Sequence, residues 1–230
     1  MKMMKLIVLM AVGLGAFSQQ CMVPGAVPRT RPTRVDYRNP GVATDYYALA
    51  LSWSPQFCNS GAGKSEQNRW QCVDNAFGFV VHGLWPQSAR ARRNDEHPRH
   101  CKAPEVLPVS TIKPYLCTIP SAQLIQDEWV KHGTCAWPSA KAYLERVEAL
   151  WKNLVLPELR GGMTTAGAIR KTIVSANRAR GLRAEHVQVS VLSGNRFSEA
   201  LICYDKQFRF AACASPGAPD GIEVRVAAKR

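Results

Sequence analysis

Residues 46–53 read YYALALSW, where the large Tyr47, Leu49, Leu51 and Trp53 alternate with the small Ala48, Ala50 and Ser52. A two-residue period of this kind predicts a β-strand with one well-buried face, which SPQFC (54–58) then ends. The next apolar run, AFGFVVHGLWP (76–86), carries β-branched and aromatic residues. It predicts a buried strand that delivers His82 at its end before Pro86 closes it. Later, HVQVSVL (186–192), ALICY (200–204) and FRFAAC (208–213) read as strands, with Asp205 and Lys206 near a turn joining the last two. Helices separate these strands. Ser139 can cap a segment in which Tyr143, Leu144, Val147, Leu150, Trp151 and Leu154 recur at helical spacing, stopped by Pro157. Thr165 to Asn177 is another, with Ile169, Ile173 and Ala176 on one face. Ser121, after Pro120, can cap a third over Gln123 to His132 that ends near Gly133. Such a mixture predicts an α+β fold, a single domain with a central, mainly antiparallel sheet flanked by helices.

The 230 residues suffice for one sizeable core and are short for two domains. At the start, Lys2 and Lys5 precede an apolar run from Leu6 to Phe17 with Ala16 and Ser18 at its end, which predicts a signal peptide over residues 1–18. The run is too short to span a bilayer comfortably, and Ser18-Gln19-Gln20 is a poor lipidation site before Cys21. A secreted or periplasmic protein with no membrane anchor is expected. Residues 19–43, rich in Pro and Arg without periodicity, read as a flexible basic leader, and the domain is expected over 44–230.

Eight cysteines, at 21, 58, 72, 101, 117, 135, 203 and 213, behind a signal peptide argue for disulfides. A zinc site using His97, His100 and Cys101 in HPRHC is the weaker reading without a paired CxxC, so no metal is expected. With 30 Lys and Arg against 17 Asp and Glu, a net charge of +13 suits a polyanionic partner, nucleic acid or an acidic membrane surface. Charge alone does not choose between them.

On the helix expected over Gln123 to His132, Glu128, Lys131 and His132 stand at i, i+3 and i+4 and share one face. Alone, such a face reads equally as a solvated salt-bridge cluster, and His82 beside Gly83 reads as structural. Together they match a chemistry. Cleaving RNA by attack of the ribose 2′-hydroxyl on the adjacent phosphorus needs a base, an acid for the leaving 5′-oxygen, and positive charge at the phosphorane. Two histidines and a lysine supply all three without a metal or cofactor.

On FVVHGLWPQ (79–87) and DEWVKHGTC (127–135), two long motifs about fifty residues apart, together with LALSWSPQFC (49–58), the chain resembles the ribonuclease T2 family of secreted, transferase-type endoribonucleases from Thr44 onward. The resemblance implies His132 as general base and His82 as general acid, with a 2′,3′-cyclic phosphate product hydrolysed more slowly to a 3′-phosphate. It gives Glu128 and Lys131 the orientation of the phosphate and the stabilisation of developing charge, and Trp85 contact with a base or packing of the site. RNA is the implied substrate, the protein is expected to act as a monomer, and the family suggests an acidic pH optimum. It also implies disulfides Cys101–Cys135 and Cys203–Cys213. Cys58–Cys72 is the preferred further pair, leaving Cys117 to bond Cys21 or stay free.

One position departs from the family pattern. Asp127 stands where many relatives carry a phosphate-binding histidine, so weakened substrate affinity with preserved chemistry is expected, and its i, i+4 spacing allows a pair with Lys131. The rival readings are a catalytically impaired RNA-binding protein and a module for anionic glycans or membranes. The latter accounts for the charge but not the motifs. A deoxyribonuclease is disfavoured because the mechanism requires a 2′-hydroxyl.

Overall fold

The computed structural model describes residues 21–229, so the expected signal peptide lies outside the described residues. Strand β1 (Tyr46–Trp53) forms where the alternation places it, but both its faces are covered. Leu49, Leu51 and Trp53 enter the main core with Phe79, Val81 and Leu84. Ala48 and Ala50 form a second small cluster with Leu201, packed on by Trp85. The single buried face read from the sequence is therefore corrected: the alanines are small because an indole closes over them.

Strand β2 (Phe79–Gln87) runs antiparallel to β1 and continues through Pro86, which sits opposite Tyr47. Pro86 does not close the strand, and His82 lies in its middle rather than at its end. β2 is the outermost strand, where a residue without an N–H is tolerated. After helix α1 (Ser54–Cys58) and the single turn α2 (Val109–Ile112) come α3 (Ala122–Lys131) and α4 (Ala140–Lys152). They are followed by β3 (Gly162–Thr165), α5 (Ala166–Asn177), β4 (Val187–Leu192), β5 (Arg196–Tyr204) and β6 (Glu223–Val226). The sheet order is β2-β1-β5-β6-β3, with β4 also paired to β5. Every pairing is antiparallel except β5 with β6, parallel at Arg196 and Arg225. The result is a single α+β domain.

The three predicted caps close as capping chemistry requires: the hydroxyls of Ser121, Ser139 and Thr165 accept from the N–H groups of Leu124, Ala142 and Ala168. FRFAAC does not form the expected strand and keeps only one bridge, Phe210 with Tyr204. The Asp205 carboxylate accepts from the N–H groups of Gln207 and Arg209, and Phe208 adopts a left-handed φ of 61°. A side chain thus takes the donors that a ladder would need.

Four disulfides join Cys21–Cys117, Cys58–Cys72, Cys101–Cys135 and Cys203–Cys213. The first settles the open choice for Cys117 and tethers the leader. Residues 21–43 contain no helix or strand, yet the segment lies along α3 as a strap. Gln123 accepts from the Arg31 N–H and donates to its carbonyl, Thr30 donates to Gln126, and Thr33 donates to Asp127 at 2.8 Å. Side chains of α3 provide hydrogen bonds that composition alone did not foresee.

Candidate active site

The buried side chains of Ile125, Trp129 and Val130 fasten α3 to the core, and this carries Glu128 and His132 over the outer face of β2. Both are nearly buried, at 5% and 6% exposure. The other histidine arrives by a register defect. Ala50 pairs with Gly83 but Leu51 pairs with Val81, so His82 is the extra residue of a β-bulge. Regular alternation from Val81 would turn Leu84 away from the core. With the bulge, Val81 and Leu84 both pack inward, while Trp85 faces outward over Ala48 and Ala50.

Glu128 sits between the histidines. Its Oε1 lies 3.5 Å from His82 Nε2, and its Oε2 lies 4.0 Å from His132 Nε2 and accepts from the Trp85 indole N–H at 2.7 Å. The Trp85 ring meets His82 edge-on at 5.1 Å and lies 5.5 Å from the His132 ring, tilted by 31°. Gly83 makes room for this arrangement, because a Cβ there would overlap the Glu128 carboxylate and press on the Trp85 indole nitrogen.

A second carboxylate, Glu199 from β5, lies 3.2 Å from His82 Nδ1. Sequence reasoning passed over it, although a lone carboxylate inside the otherwise apolar FSEALICY was a visible signal. The surroundings drive the two imidazoles apart. Burial opposes the charge on His82, but Glu128 and the hydrogen bond with Glu199 outweigh it and raise its pKa from 6.5 to about 8. Burial, reinforced by the positive charges of Lys131 and Arg99, holds His132 well below 6.5. Glu128 is itself pushed up by burial, against the pull of His82 and of the Trp85 N–H. Near neutral pH the site therefore holds a protonated and a neutral imidazole beside one carboxylate, the pair of states that acid–base catalysis requires.

Lys131 does not pair with Asp127. Its ammonium lies 3.6 Å from Asp36 of the strap, and Asp127 accepts instead from Thr33 and Gln123. The residues weighed as zinc ligands are otherwise engaged: His97 accepts from the Ser88 N–H, His100 pairs with Asp36, and Cys101 is in a disulfide. The loop 88–100 ends buried, since Arg99 and His100 pack against the end of α3 where the Cys101–Cys135 bond fastens them.

A family model described as the Ribonuclease T2 family matches residues 44–209. The chain is 37% identical over 188 residues to a probable ribonuclease of Haemophilus influenzae, a match covering 77% of this chain and 64% of that protein. It is 29% identical over 163 residues to ribonuclease I of Escherichia coli, covering 56% of this chain and 60% of that one. The matched part thus spans less than two thirds of either relative. Among solved structures, trichomaglin, described as a novel S-like ribonuclease, shares the fold with a TM-score of 0.61 at 21% identity, over 81% of this chain and 98% of that one.

Proposed function

This chain belongs to the ribonuclease T2 family, and from that premise we propose that it is an endoribonuclease cleaving single-stranded RNA by transphosphorylation. The observation that carries the reading is the placement of His82 and His132 at opposite oxygens of Glu128, where burial and nearby charges push their pKa values in opposite directions. Neutral His132 takes the proton of the ribose 2′-hydroxyl, whose oxygen then bonds to the adjacent phosphorus. The bond from phosphorus to the 5′-oxygen breaks, and His82 gives its proton to that oxygen. The product is a 2′,3′-cyclic phosphate. In the slower second step the roles reverse: His82 takes a proton from water, which opens the ring to a 3′-phosphate, and His132 returns its proton to the 2′-oxygen. Lys131 offsets charge at the phosphorane, Glu128 orients the phosphate, and Trp85 serves substrate binding by holding Glu128 in place. These groups supply acid, base and charge, so the scheme needs no cofactor.

In this reading Asp127 acts on the strap, through Thr33, rather than on Lys131, which faces Asp36. The four disulfides suit an oxidising compartment, in keeping with secretion or a periplasmic location. No helix among the described residues is long and apolar enough to cross a membrane. We take the working form to be a monomer.

Digestion of dinucleoside phosphates with product identification tests the reaction. A 2′,3′-cyclic phosphate that precedes the 3′-phosphate is expected; salt-sensitive RNA binding without that product would favour the impaired RNA-binding reading.

The pH profile gives a second test. Activity needs His132 neutral, so it falls as pH drops through the depressed pKa of that residue; it needs His82 protonated, so it falls again as pH rises through about 8. The plateau extends further toward alkali than the acidic optimum suggested by resemblance. Glu199→Gln removes a charge that raises the pKa of His82. The alkaline limb is expected to move to lower pH while the acid limb stays. An unmoved alkaline limb in kcat/KM would show that Glu199 does not hold up the pKa of His82.

A further inference from the structure

Beside the two histidines lies a cluster of basic groups of which the scheme above uses only Lys131. The Asp36 carboxylate of the strap receives His100 Nε2 on one oxygen at 3.0 Å, and Arg99 Nη1 and Lys131 Nζ on the other at 3.5 and 3.6 Å. Three basic side chains thus converge on one carboxylate, which is half exposed.

The receiving side is built. His100 is 1% exposed and Arg99 9%. The guanidinium of Arg99 lies 4.6 Å from the centre of the Tyr37 ring and donates to the Asn94 carbonyl at 2.8 Å. The His100 backbone adopts a left-handed φ of 50°, an uncommon conformation for a residue with a Cβ. It is held there by its N–H donating to the Lys131 carbonyl at 2.8 Å and by the neighbouring Cys101–Cys135 bond. His100 Nδ1 and Arg99 Nε are buried without a partner. Buried polar atoms left unpaired are destabilising, so fold stability alone is a poor reason for this cluster. The strap also lies ahead of the residues that match the family model, 44–209.

Building on the proposed ribonuclease reading, we propose that Arg99, His100 and Lys131 form a subsite for an RNA backbone phosphate next to the scissile one, and that Asp36 occupies it as an intramolecular competitor. The two oxygens of a carboxylate stand where two non-bridging phosphate oxygens would lie, and a phosphodiester accepts the same donors. Lys131 joins this subsite to the reaction centre, because it belongs to both. The Cys21–Cys117 bond and the contacts of Thr30, Arg31 and Thr33 with α3 keep Asp36 near its partners. RNA must therefore displace the strap locally, and this lowers apparent affinity by the fraction of time the subsite is open.

Asp36→Asn in the full chain is the direct test, with inorganic phosphate as probe and titration calorimetry as readout. The neutral amide competes poorly for three basic groups. Phosphate is expected to bind roughly tenfold more tightly than to the unsubstituted protein, as for a subsite closed about nine-tenths of the time, and KM for RNA is expected to fall in parallel. Adding Arg99→Gln to Asp36→Asn should abolish that gain. A folded Asp36→Asn protein with unchanged or weaker phosphate binding would overturn the proposal and leave Asp36 as an anchor of the strap. Should Asp36→Asn not fold, Thr33→Ala loosens the strap at its contact with Asp127, and unchanged phosphate binding there overturns the proposal equally. Phosphate binding is read without turnover, so tighter binding in a protein that cleaves no RNA would retain the subsite and reject the ribonuclease reading.

Discussion

Alanine at His132 is expected to lower kcat/KM on RNA by roughly 10²–10⁴-fold, the range that a positioned general base contributes. Its burial and its neighbouring cations keep the imidazole neutral. His82→Ala should cause a loss of the same order for the opposite reason, since it removes the proton donor that Glu128 and Glu199 keep charged. The two variants separate in their pH profiles: residual activity of His132→Ala should lose the acid limb, and that of His82→Ala the limb near 8. Because the residues act as a unit, the double variant should be scarcely worse than either single one. His132 Nδ1 has no hydrogen-bond partner, so alanine there leaves no partner of that atom unsatisfied. The activity loss should far exceed any change in Tm. Single-turnover kinetics with thermal unfolding checks both, and a His132→Ala protein within a few-fold of the unsubstituted rate would remove the two-histidine scheme.

Gly83→Ala is expected to be the most damaging single-methyl change in the site. Ala50, opposite Gly83, is fully buried, and the Glu128 carboxylate lies over the glycine. The added Cβ must displace Glu128 or the Trp85 indole. Overpacking of this kind costs about 1–3 kcal/mol. A displacement of about 1 Å at the reacting groups lowers rate by about 10²-fold. Activity should fall more steeply than stability, since Glu128 serves both histidines while the core beneath, built on Leu49, Leu51, Val81 and Leu84, stays packed. Denaturant unfolding and kcat/KM measured on one preparation give the comparison. Unaltered kcat/KM with lowered stability would show that the placement of Glu128 does not matter for turnover.

Much of this could be read from the chain before folding was considered. The alternation in YYALALSW, the capping hydroxyls of Ser121, Ser139 and Thr165, and the i, i+3, i+4 spacing of Glu128, Lys131 and His132 are local. Each depends on residues within about one turn or one strand length, and the structure forms those elements within a residue of their expected ends, except that the helix capped by Ser139 stops at Lys152, short of Leu154. The two motifs likewise pointed to the family before any geometry was known. FRFAAC misled for a local reason as well, because its apolar pattern was outweighed by the hydrogen bonds of Asp205.

Other features are set by residues far apart in the sequence. The bulge at His82 exists because Val81 and Leu84 both pack inward against Leu51 and Leu49, a competition between strands that the spacing within β2 does not reveal. Glu199 reaches His82 across 117 positions. Asp36 reaches Lys131 only because a disulfide and the polar side chains of α3 hold the strap there. By itself, the sequence determined which groups were available, two imidazoles, a carboxylate and a lysine, and which helix and strand would carry them. Only the tertiary structure decided that one imidazole is charged and the other neutral. Protonation follows from desolvation and from charges brought close in space, and neither exists until the chain has folded.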